Sequence, residues 1–314
     1  RPYEVLVVVG DSLWQRPAGR ALFDVLDTDI PGLPQPERSF RISQTDPKRF
    51  NQVLNIFRNI IKVDIAPNQY TQTKMKFTRD VYARPQVLLT IQSPNEKDFA
   101  AFVKKNARAI IDFLVKMEMN RQINELEKKH SEVVSFLADS IFGCQFWAPA
   151  EIKSYKKGKD FFWTSSNTAS GLVNICMYSY PYEGPWTFNK AYVLAKRDSV
   201  MKVNIPGVEP RMYMATDTVC TSVKPITVKG GYAMEARGLW KMEHDAMGGP
   251  FVSHSRVDML NNRVVVAEGF VYAPEKMKRG LEAALYTLCL PGEQARELKA
   301  NIPEVSVVAG KEQE

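Results

Sequence analysis

The feature that most constrains the fold is a stretch of about fifty residues without proline or glycine, from Asn95 to Phe142. It follows Ser93-Pro94-Asn95-Glu96, which has the pattern of a capping box with proline at the first helical position. A helix is therefore predicted to start at Ser93. Gly143 suits the left-handed position that ends a helix. Unbroken, this helix would span roughly 70 Å at 1.5 Å per residue, which is longer than a compact domain of this mass.

The apolar side chains of this stretch change sides along its length. At about 100° per residue, they form two stripes on opposite sides of the helix. The first stripe is Phe99, Val103, Ile110, Leu114 and Met117, and the second is Met119, Ile123, Leu126, Val133, Leu137 and Ile141. Either the helix breaks at residues 117–122, or one continuous rod packs opposite faces against two bodies. Both interpretations make it the joint between two halves of the protein.

The composition is that of a globular protein with one large or two medium domains. Of its 314 residues, 45% are hydrophobic and 25% are charged. No run approaches the roughly 18 apolar residues that are needed to cross a bilayer. The net charge of +7 is mildly basic, but no basic stripe alternates with aromatic residues, so we expect no nucleic-acid partner. A lysine cluster fits a solvated hairpin tip better than an anion-binding patch: Lys153, Lys156, Lys157 and Lys159.

The cysteines and histidines indicate neither a metal site nor a disulfide framework. The four cysteines are far apart and show no C-x-x-C spacing: Cys144, Cys176, Cys220 and Cys289. Buried free thiols are favoured over disulfides. No histidine stands at ligand spacing with another histidine or cysteine. We therefore expect no metal and no cofactor.

Two short landmarks recur in the same order and predict an internal duplication. Ile30-Pro31-Gly32-Leu33 matches Ile205-Pro206-Gly207-Val208, and Pro94-Asn95-Glu96-Lys97 matches Pro274-Glu275-Lys276. Each half reads as strand, helix, strand, then antiparallel strands, then a helix. In the first half, Asp46-Pro47 opens a further helix, and the strands Lys74–Tyr82 and Gln86–Gln92 are predicted to pair. In the second half, four strands between Ile226 and Tyr272 are predicted to form an antiparallel meander. The predicted fold class is α+β, with two related units of antiparallel-rich sheet that carry helices on one face and are joined by the long helix.

The predicted domain boundaries follow from this organisation. Residues 1–118 form the first unit, residues 119–143 the connecting helix, residues 144–290 the second unit, and residues 291–314 a C-terminal tail. Because the chain begins at Arg1 without methionine, we expect it to be trimmed or processed, with any targeting signal upstream.

The strand that ends in Gly10-Asp11-Ser12-Leu13 resembles the nucleophile block of the GDSL (SGNH) hydrolases. That resemblance implies that Ser12 would attack an ester. The later Gly-x-Asn-Asp and Asp-x-x-His blocks of that family are absent, and a serine without its base is a poor nucleophile at neutral pH. We therefore disfavour a serine hydrolase and interpret the motif as a turn.

A second polar concentration lies between residues 240 and 258. His254, Arg256 and Asp258 alternate along a predicted strand and therefore share one face. Together they could bind an anion or perform acid–base chemistry, but an outward, wet strand face with a cross-strand ion pair is favoured. In an enzyme, the catalytic residues would be His254, Asp258, Glu243 and His244. In a binding module, the contacts would come from Trp240, Arg256 and His254.

Two groups of aromatic residues are dense for a surface. They are Phe146-Trp147 with Phe161-Phe162-Trp163, and Tyr178, Tyr180, Tyr182 and Trp186. Packing at the seam between the halves is the favoured explanation, and a platform for a carbohydrate or peptide is the alternative. Gly248-Gly249-Pro250 forms either a plain connector or a loop that a ligand touches.

Several stretches resemble an uncharacterised family of predicted Bacteroides-type lipoproteins, classed only as a domain of unknown function. They are Gly19–Glu37, Arg197–Gly207, Arg237-Gly238-Leu239-Trp240 and Met247-Gly248-Gly249-Pro250-Phe251. The resemblance covers nearly the whole chain. It implies a lipid-bearing cysteine just upstream of Arg1, a cell-envelope location on the periplasmic side or the cell surface, and membrane contact through that anchor alone. It implies no activity and no site.

The sequence favours a binding function over an enzymatic one. It contains no working metal-ligand set, phosphate loop or nucleophile with its base. We expect a non-catalytic, envelope-tethered module that binds a protein, peptide or glycan. The alternative is a hydrolase-type enzyme with its site around His244, His254 and Asp258. Neither the partner nor the oligomeric state is predicted.

Overall fold

The computed structural model describes residues 1–31, 33, 36–166, 173–272 and 279–293. With 31% helix and 37% strand in two sheets, and a helix between them along the chain, it confirms the predicted α+β class. Contacts divide the chain into two compact units, with the division between Arg121 and Gln122. Among the described residues, unit 1 comprises Arg1–Ile30 and Pro36–Arg121, and unit 2 comprises Pro31, Leu33 and the residues from Gln122 onward.

Unit 1 is built on a five-stranded sheet in the order β2-β1-β3-β5-β4. The strands run parallel except for β4, which pairs antiparallel with β5 as predicted. The apolar run of β1 suits a strand buried on both faces. The elements are β1 Glu4–Val8, α1 Asp11–Gln15, α2 Pro17–Leu26, β2 Arg41–Thr45, β3 Asn59–Ile65, β4 Lys74–Arg79 and β5 Val87–Ser93.

The two faces of this sheet are covered differently. One face packs against the helices, in a core that includes Leu22 and Phe99. The other face is covered by a segment without an α-helix: Phe50, Leu54 and Phe57 pack on Leu6, Val8, Ile60 and Leu88. The helix predicted to open at Asp46-Pro47 is wrong, because only a 3-10 turn forms there, over Pro47–Arg49.

The long stretch forms three helices, α3 Glu96–Lys105, α4 Ala107–Lys128 and α5 Glu132–Phe142. The single helix from Ser93 is therefore wrong. Asn95, rather than Ser93, is the N-cap of α3, and its side chain accepts a hydrogen bond from the Asp98 backbone N–H. The predicted end is confirmed, since Gly143 closes α5 with φ of 62°.

The predicted change of buried face occurs inside α4, where the helix is continuous. Ile110 and Leu114 are buried on one side, and Ile123 and Leu126 are buried on the opposite side. The turn between these groups carries a buried ion pair, in which Arg121 Nη1 donates to Glu118 Oε1 at 2.6 Å. The helix is therefore continuous at residues 117–122, so the predicted break there is wrong, although the stretch as a whole is not one rod.

Unit 2 is built on a seven-stranded sheet in the order β6-β7-β8-β12-β11-β10-β9. Each of its pairs among the described strands is antiparallel, which confirms the predicted meander. Its elements are β6 Ser154–Gly158, β7 Phe161–Ser165, β8 Val173–Pro181, α6 Lys190–Asn204, β9 Met214–Val228, β10 Gly231–Met242, β11 Gly248–Asp258, β12 Arg263–Val271 and α7 Arg279–Leu285. The helix start predicted at Pro274 and most of the predicted tail at residues 291–314 lie outside the described residues.

The predicted duplication is wrong. The first sheet is mostly parallel and the second is antiparallel, and the two strand orders do not correspond. Parallel strands need crossover connections, whereas the second sheet is built from adjacent hairpins and a meander. The recurring Ile-Pro-Gly motif is therefore a local feature of the sequence without a common fold around its two copies.

The lysine cluster lies on and beside β6, an exposed edge strand of unit 2. Lysine side chains on an edge strand discourage pairing with another chain.

The cysteines are free thiols, as predicted, but Cys220 is exposed whereas the other three are buried. Burial raises the pKa of the Cys144 thiol to about 12.

Gly143 and Gly280 should respond in opposite directions to alanine. Gly143→Ala is expected to lower the free energy of unfolding by about 1 kcal/mol, because an L-residue is strained at positive φ. Gly280→Ala, in α7, is expected to raise it by about 0.5–1 kcal/mol, since an added Cβ meets no atom within 4 Å. Urea unfolding of both variants measures the difference. Changes of the same sign would contradict the assigned helix end.

Candidate functional site

The residues singled out in the sequence do not converge on one site. Glu243 and His244 lie in the turn between β10 and β11, where Glu243 pairs with Lys241 at 2.8 Å. His254 and Arg256 lie on one face of β11 with Asp258, and all three side chains are buried. The predicted wet strand face is therefore wrong.

This face is buried because α7 and the residues after it bring matching charges onto it. Arg237, on β10, forms a bidentate ion pair with Glu282, in which each of the two hydrogen bonds is 3.0 Å long. Arg256 pairs with Glu293 at 2.5 and 2.9 Å and also donates to the Leu288 carbonyl. Buried charges are tolerated when they are paired and hydrogen-bonded in this way.

His254 meets a carboxylate that the sequence interpretation missed. Its Nε2 lies 3.5 Å from Glu235 Oε2, and its ring contacts the edge of Tyr286. Its Nδ1 is buried and has no hydrogen-bond partner among the described residues. Glu235 stands directly opposite His254 in the β10–β11 register. The register of the hairpin was therefore the signal from which this carboxylate could have been predicted.

Burial alone would raise the pKa of Glu235. The hydrogen bond with His254 and the charges of Arg237 and Lys224 outweigh burial, and hold the pKa of this carboxyl well below its usual range. Glu235 is therefore a carboxylate inside the protein at neutral pH. It lies beneath α7, beside an imidazole, in a cluster that joins the helix to the sheet.

Asp258 has a local structural role. It accepts hydrogen bonds from Asn261 and from Arg263 Nε, the latter at 2.9 Å, and so closes the β11–β12 turn. Arg263 also donates to the Phe142 carbonyl at the end of α5. These contacts account for the polar atoms of Asp258 without a ligand.

Trp240 lies on the opposite face of the sheet from His254. Its indole N–H donates to the Val271 carbonyl at 2.9 Å, and its ring packs edge-on against Phe270. Only 4% of the residue is exposed. Trp240 therefore packs in the core of unit 2 and does not present an open ring face to a ligand.

An open cleft of about 340 Å³ lies beside Trp240, at the end of the sheet where β10 turns into β11. The turn is closed by a hydrogen bond from Met242 N to Met247 O. Gly248 is needed there, because a Cβ would lie 2.8 Å from the Trp240 carbonyl oxygen. The side chains that give the cleft its chemistry are Asp217, Trp240, Lys241, Asp245, Met247 and Tyr272.

The cleft has an excess of hydrogen-bond acceptors. Lys241 is committed to Glu243, whose hydrogen bond and charge raise the pKa of the Lys241 ammonium. One oxygen of Asp217 accepts the backbone N–H groups of Val219 and Cys220. Within the described ranges, neither Asp217 nor Asp245 forms an ion pair, although the charge of Asp217 also contributes to raising the pKa of Lys241. The sequence interpretation missed both carboxylates. Asp245 directly follows His244 in the turn but was not chosen as a site residue, and Asp217 lies on β9, which only the sheet register brings to the hairpin.

The other motifs give no further site. Ser12 is exposed in α1, and its neighbour Asp11 pairs with Arg49. Every histidine of the chain lies at residue 130 or later, so unit 1 contains none to act as the base for Ser12. Most residues of the two aromatic groups singled out in the sequence pack inside unit 2, whereas Trp186 is 59% exposed. Among the described residues, no group of three or more His, Cys, Asp or Glu could hold a metal ion.

Comparison with known proteins divides the chain in two. Residues 1–127 match the model of a domain of unknown function (DUF8532), and residues 133–287 match that of another domain of unknown function (DUF4837). Two domains of unknown function cover the chain. The cleft and the His254 cluster both lie in the DUF4837 part, and the two separate matches agree with the two different sheets.

No curated protein is significantly similar to the chain. The chain is similar to a protein from Bacteroides thetaiotaomicron VPI-5482 with a crystal structure at 1.50 Å resolution, with 14% identity and a TM-score of 0.22. The similarity covers 48% of this chain and 46% of that chain, so it spans about half of the neighbour's length.

Within the described ranges, no helix has both the length and the apolar character needed to span a bilayer.

Replacing Glu235 should destabilise the protein in a pH-dependent way. Glu235→Gln is expected to lower the free energy of unfolding at pH 7 by about 3 kcal/mol, because it breaks a buried charge cluster. The stabilisation is complete above the unfolded pKa of about 4.3, and below it wild type loses up to about 1.4 kcal/mol per pH unit. Urea unfolding between pH 7 and pH 3 should therefore show the two proteins converging.

The exposed Glu151→Gln serves as the matched control, with an expected change within about 0.5 kcal/mol. A difference between wild type and Glu235→Gln that stays constant down to pH 3 would show that Glu235 is not held as a carboxylate by its neighbours.

Proposed function

We propose that the protein is a non-catalytic binding module of the cell envelope, whose ligand enters the cleft beside Trp240. The observation that carries this proposal is the combination of an open cleft with two carboxylates that form no ion pair within the described residues, Asp217 and Asp245. Ligand sites are typically concave and contain a few placed polar groups. In this proposal residues 144–290 bind, and residues 119–143 connect them to residues 1–118.

The chemistry of the cleft favours a peptide that carries a lysine or arginine side chain. Asp217 and Asp245 offer acceptors to a cation, and Lys241 is already neutralised by Glu243. The ring of Tyr272, 37% exposed at the same cleft, can contact the cation or the aliphatic part of its side chain. A glycan is the second candidate, because hydroxyl groups can donate to the same carboxylates while the sugar packs on Tyr272.

A binding function is favoured over the hydrolase alternative. His244 and Glu243 lie in the turn, apart from the buried His254 and Asp258. The histidine–carboxylate contact that does form, His254 with Glu235, lies beneath α7 with both side chains buried. A general base must reach the proton that it abstracts, and the exposures of His254 and Glu235 are only 1% and 3%.

The envelope location is part of the proposal and rests on the resemblance to predicted lipoproteins. We propose that the protein is tethered by a lipid attached upstream of Arg1. Detergent phase separation of the protein from its native cells tests this directly. A lipid-anchored protein enters the detergent-rich phase, and recovery in the aqueous phase alone would contradict the anchor.

The cleft is tested with arrays of short peptides and of envelope glycans. We expect the purified chain to retain peptides enriched in lysine or arginine. The double variant Asp217→Asn/Asp245→Asn should bind them roughly tenfold more weakly, which corresponds to about 1.4 kcal/mol. Asparagine keeps an acceptor for the backbone N–H groups of Val219 and Cys220, so the fold is preserved. Ala246→Trp should block the cleft by bulk.

Asp139→Asn, an exposed change on α5, is the matched control and should leave binding unchanged. Retention of glycans instead of peptides, with the same loss in the double variant, would favour the second candidate. Failure to retain either class, or equal binding by the double variant, would overturn the proposal. Hydrolysis of a retained ligand would overturn its non-catalytic part.

A further inference from the structure

Two segments of unit 1, residues 50–57 and 80–86, form one connected surface. The Gln86 side chain donates to the Asn55 carbonyl at 2.6 Å and to the Phe57 carbonyl at 2.8 Å. Its own oxygen accepts the backbone N–H of Tyr82 at 3.0 Å. The rings of Phe50 and Tyr82 meet edge to face, with centroids 5.7 Å apart. The two segments are thus fixed to each other by side chains.

The local turn decides which side chains of residues 50–57 face outward. Asn51 Oδ1 accepts the backbone N–H groups of Val53 and Leu54 and so starts a tight turn. Leu54 then packs on the sheet with Phe50 and Phe57. Val53 and Ile56 point away from it, with exposures of 72% and 62%.

Val53 and Ile56, together with Val81 and Tyr82 from the other segment, are called the apolar loop surface. Val81 and Tyr82 are 45% and 42% exposed. Single exposed apolar residues are ordinary, but four on two joined segments form a patch of the kind that marks an interaction site.

Basic side chains border this surface. Lys62 Nζ lies 4.9 Å from the Phe50 ring centroid and 3.0 Å from the Tyr82 hydroxyl. Within the described ranges, Lys62 forms no ion pair. Lys48 lies near Asp46, whose pKa is lowered by the Lys48 backbone N–H and by the charges of Arg49 and Lys48. Arg49, just before the first segment, and Arg84, in the second, form ion pairs with Asp11 and Asp80. Residues 1–121 hold 19 lysines and arginines against 13 aspartates and glutamates, a net charge of +6 out of the +7 of the whole chain.

We propose that the apolar loop surface docks on an anionic lipid bilayer. Exposed aliphatic and tyrosine side chains can enter the headgroup region, while neighbouring basic side chains are attracted to anionic headgroups. The apolar side chains project from two loops, and a bilayer can deform around such projecting side chains. A protein partner would usually offer hot-spot side chains that need a well-packed pocket. This contact is separate from the cleft of unit 2 and from any lipid anchor.

Vesicle sedimentation of the full chain, without any added lipid anchor, tests the proposal. We expect binding to phosphatidylcholine vesicles that contain about 30% phosphatidylglycerol to exceed binding to pure phosphatidylcholine by roughly fivefold or more. High salt should weaken it, because it screens exposed charges. Val53→Asp/Ile56→Asp should reduce binding to the level of the neutral vesicles.

The matched control is Met259→Asp/Leu260→Asp, which changes two apolar side chains of similar exposure, 76% and 72%, in unit 2. This variant should bind as wild type does. Both double variants should retain the wild-type circular dichroism spectrum and bind the peptides retained by the unit 2 cleft. These measurements separate a failure of docking from a failure of the cleft.

A fluorescent label reports which residues enter the bilayer. An environment-sensitive dye is attached at Ile56→Cys in a Cys220→Ser background, since Cys220 is the exposed one of the four cysteines. Its emission should shift to the blue on addition of anionic vesicles, whereas the same dye at Leu260→Cys should not shift.

Equal binding to neutral and anionic vesicles, or equal binding by Val53→Asp/Ile56→Asp and wild type, would overturn the proposal. A blue shift at residue 260 without one at residue 56 would also overturn it. Binding of soluble dextran sulfate without vesicle binding would assign the surface to a soluble anionic polymer instead of a lipid.

Discussion

The burial of charge between the second sheet and α7 is the interaction on which the architecture of unit 2 depends. Arg237 pairs with Glu282 and Arg256 with Glu293, so the helix and the residues after it are fixed at two points along β10 and β11. His254 with Glu235 lies between them, beside Tyr286. Buried ion pairs of this kind contribute little net stability, but losing one partner is costly. They therefore determine which part of the chain covers this face.

The residues between 240 and 258, which were treated as one polar concentration in the sequence, have two different roles in the structure. The face with His254 and Arg256 is used to hold α7, and the opposite face with Trp240 belongs to an apolar core. What is left for a ligand is the end of the β10–β11 hairpin, where Gly248 allows a close backbone approach. Unit 1 has a related asymmetry, since helices cover one face of its sheet while turns cover part of the other. Those turns leave Val53 and Ile56 in solvent.

The sequence predicted the features that depend on short-range patterns. The meander, the end of α5 at Gly143 and the change of buried face inside α4 follow from alternation, a glycine and helical periodicity. Long-range pairing caused the errors. Polar alternation on β11 is typical of a wet strand, but Glu282 and Glu293 arrive from a distant segment and bury it. The helix predicted after Asp46 is replaced by turns, because Asn51 caps a turn and Phe50, Leu54 and Phe57 pack on the sheet. The cleft was missed because Asp217, Asp245 and Tyr272 come from separate strands and loops, and only the sheet register brings them together.

The most direct test of the central claim is photo-crosslinking from the rim of the cleft. A benzophenone amino acid replaces Met247, which lines the cleft, or Phe136, which is exposed on α5 of the same unit. Each protein is then irradiated with the lysine- or arginine-containing peptide that wild type retains. A crosslinked product is expected from position 247 and none from position 136. Equal crosslinking from both positions, or crosslinking from position 136 alone, would contradict the claim.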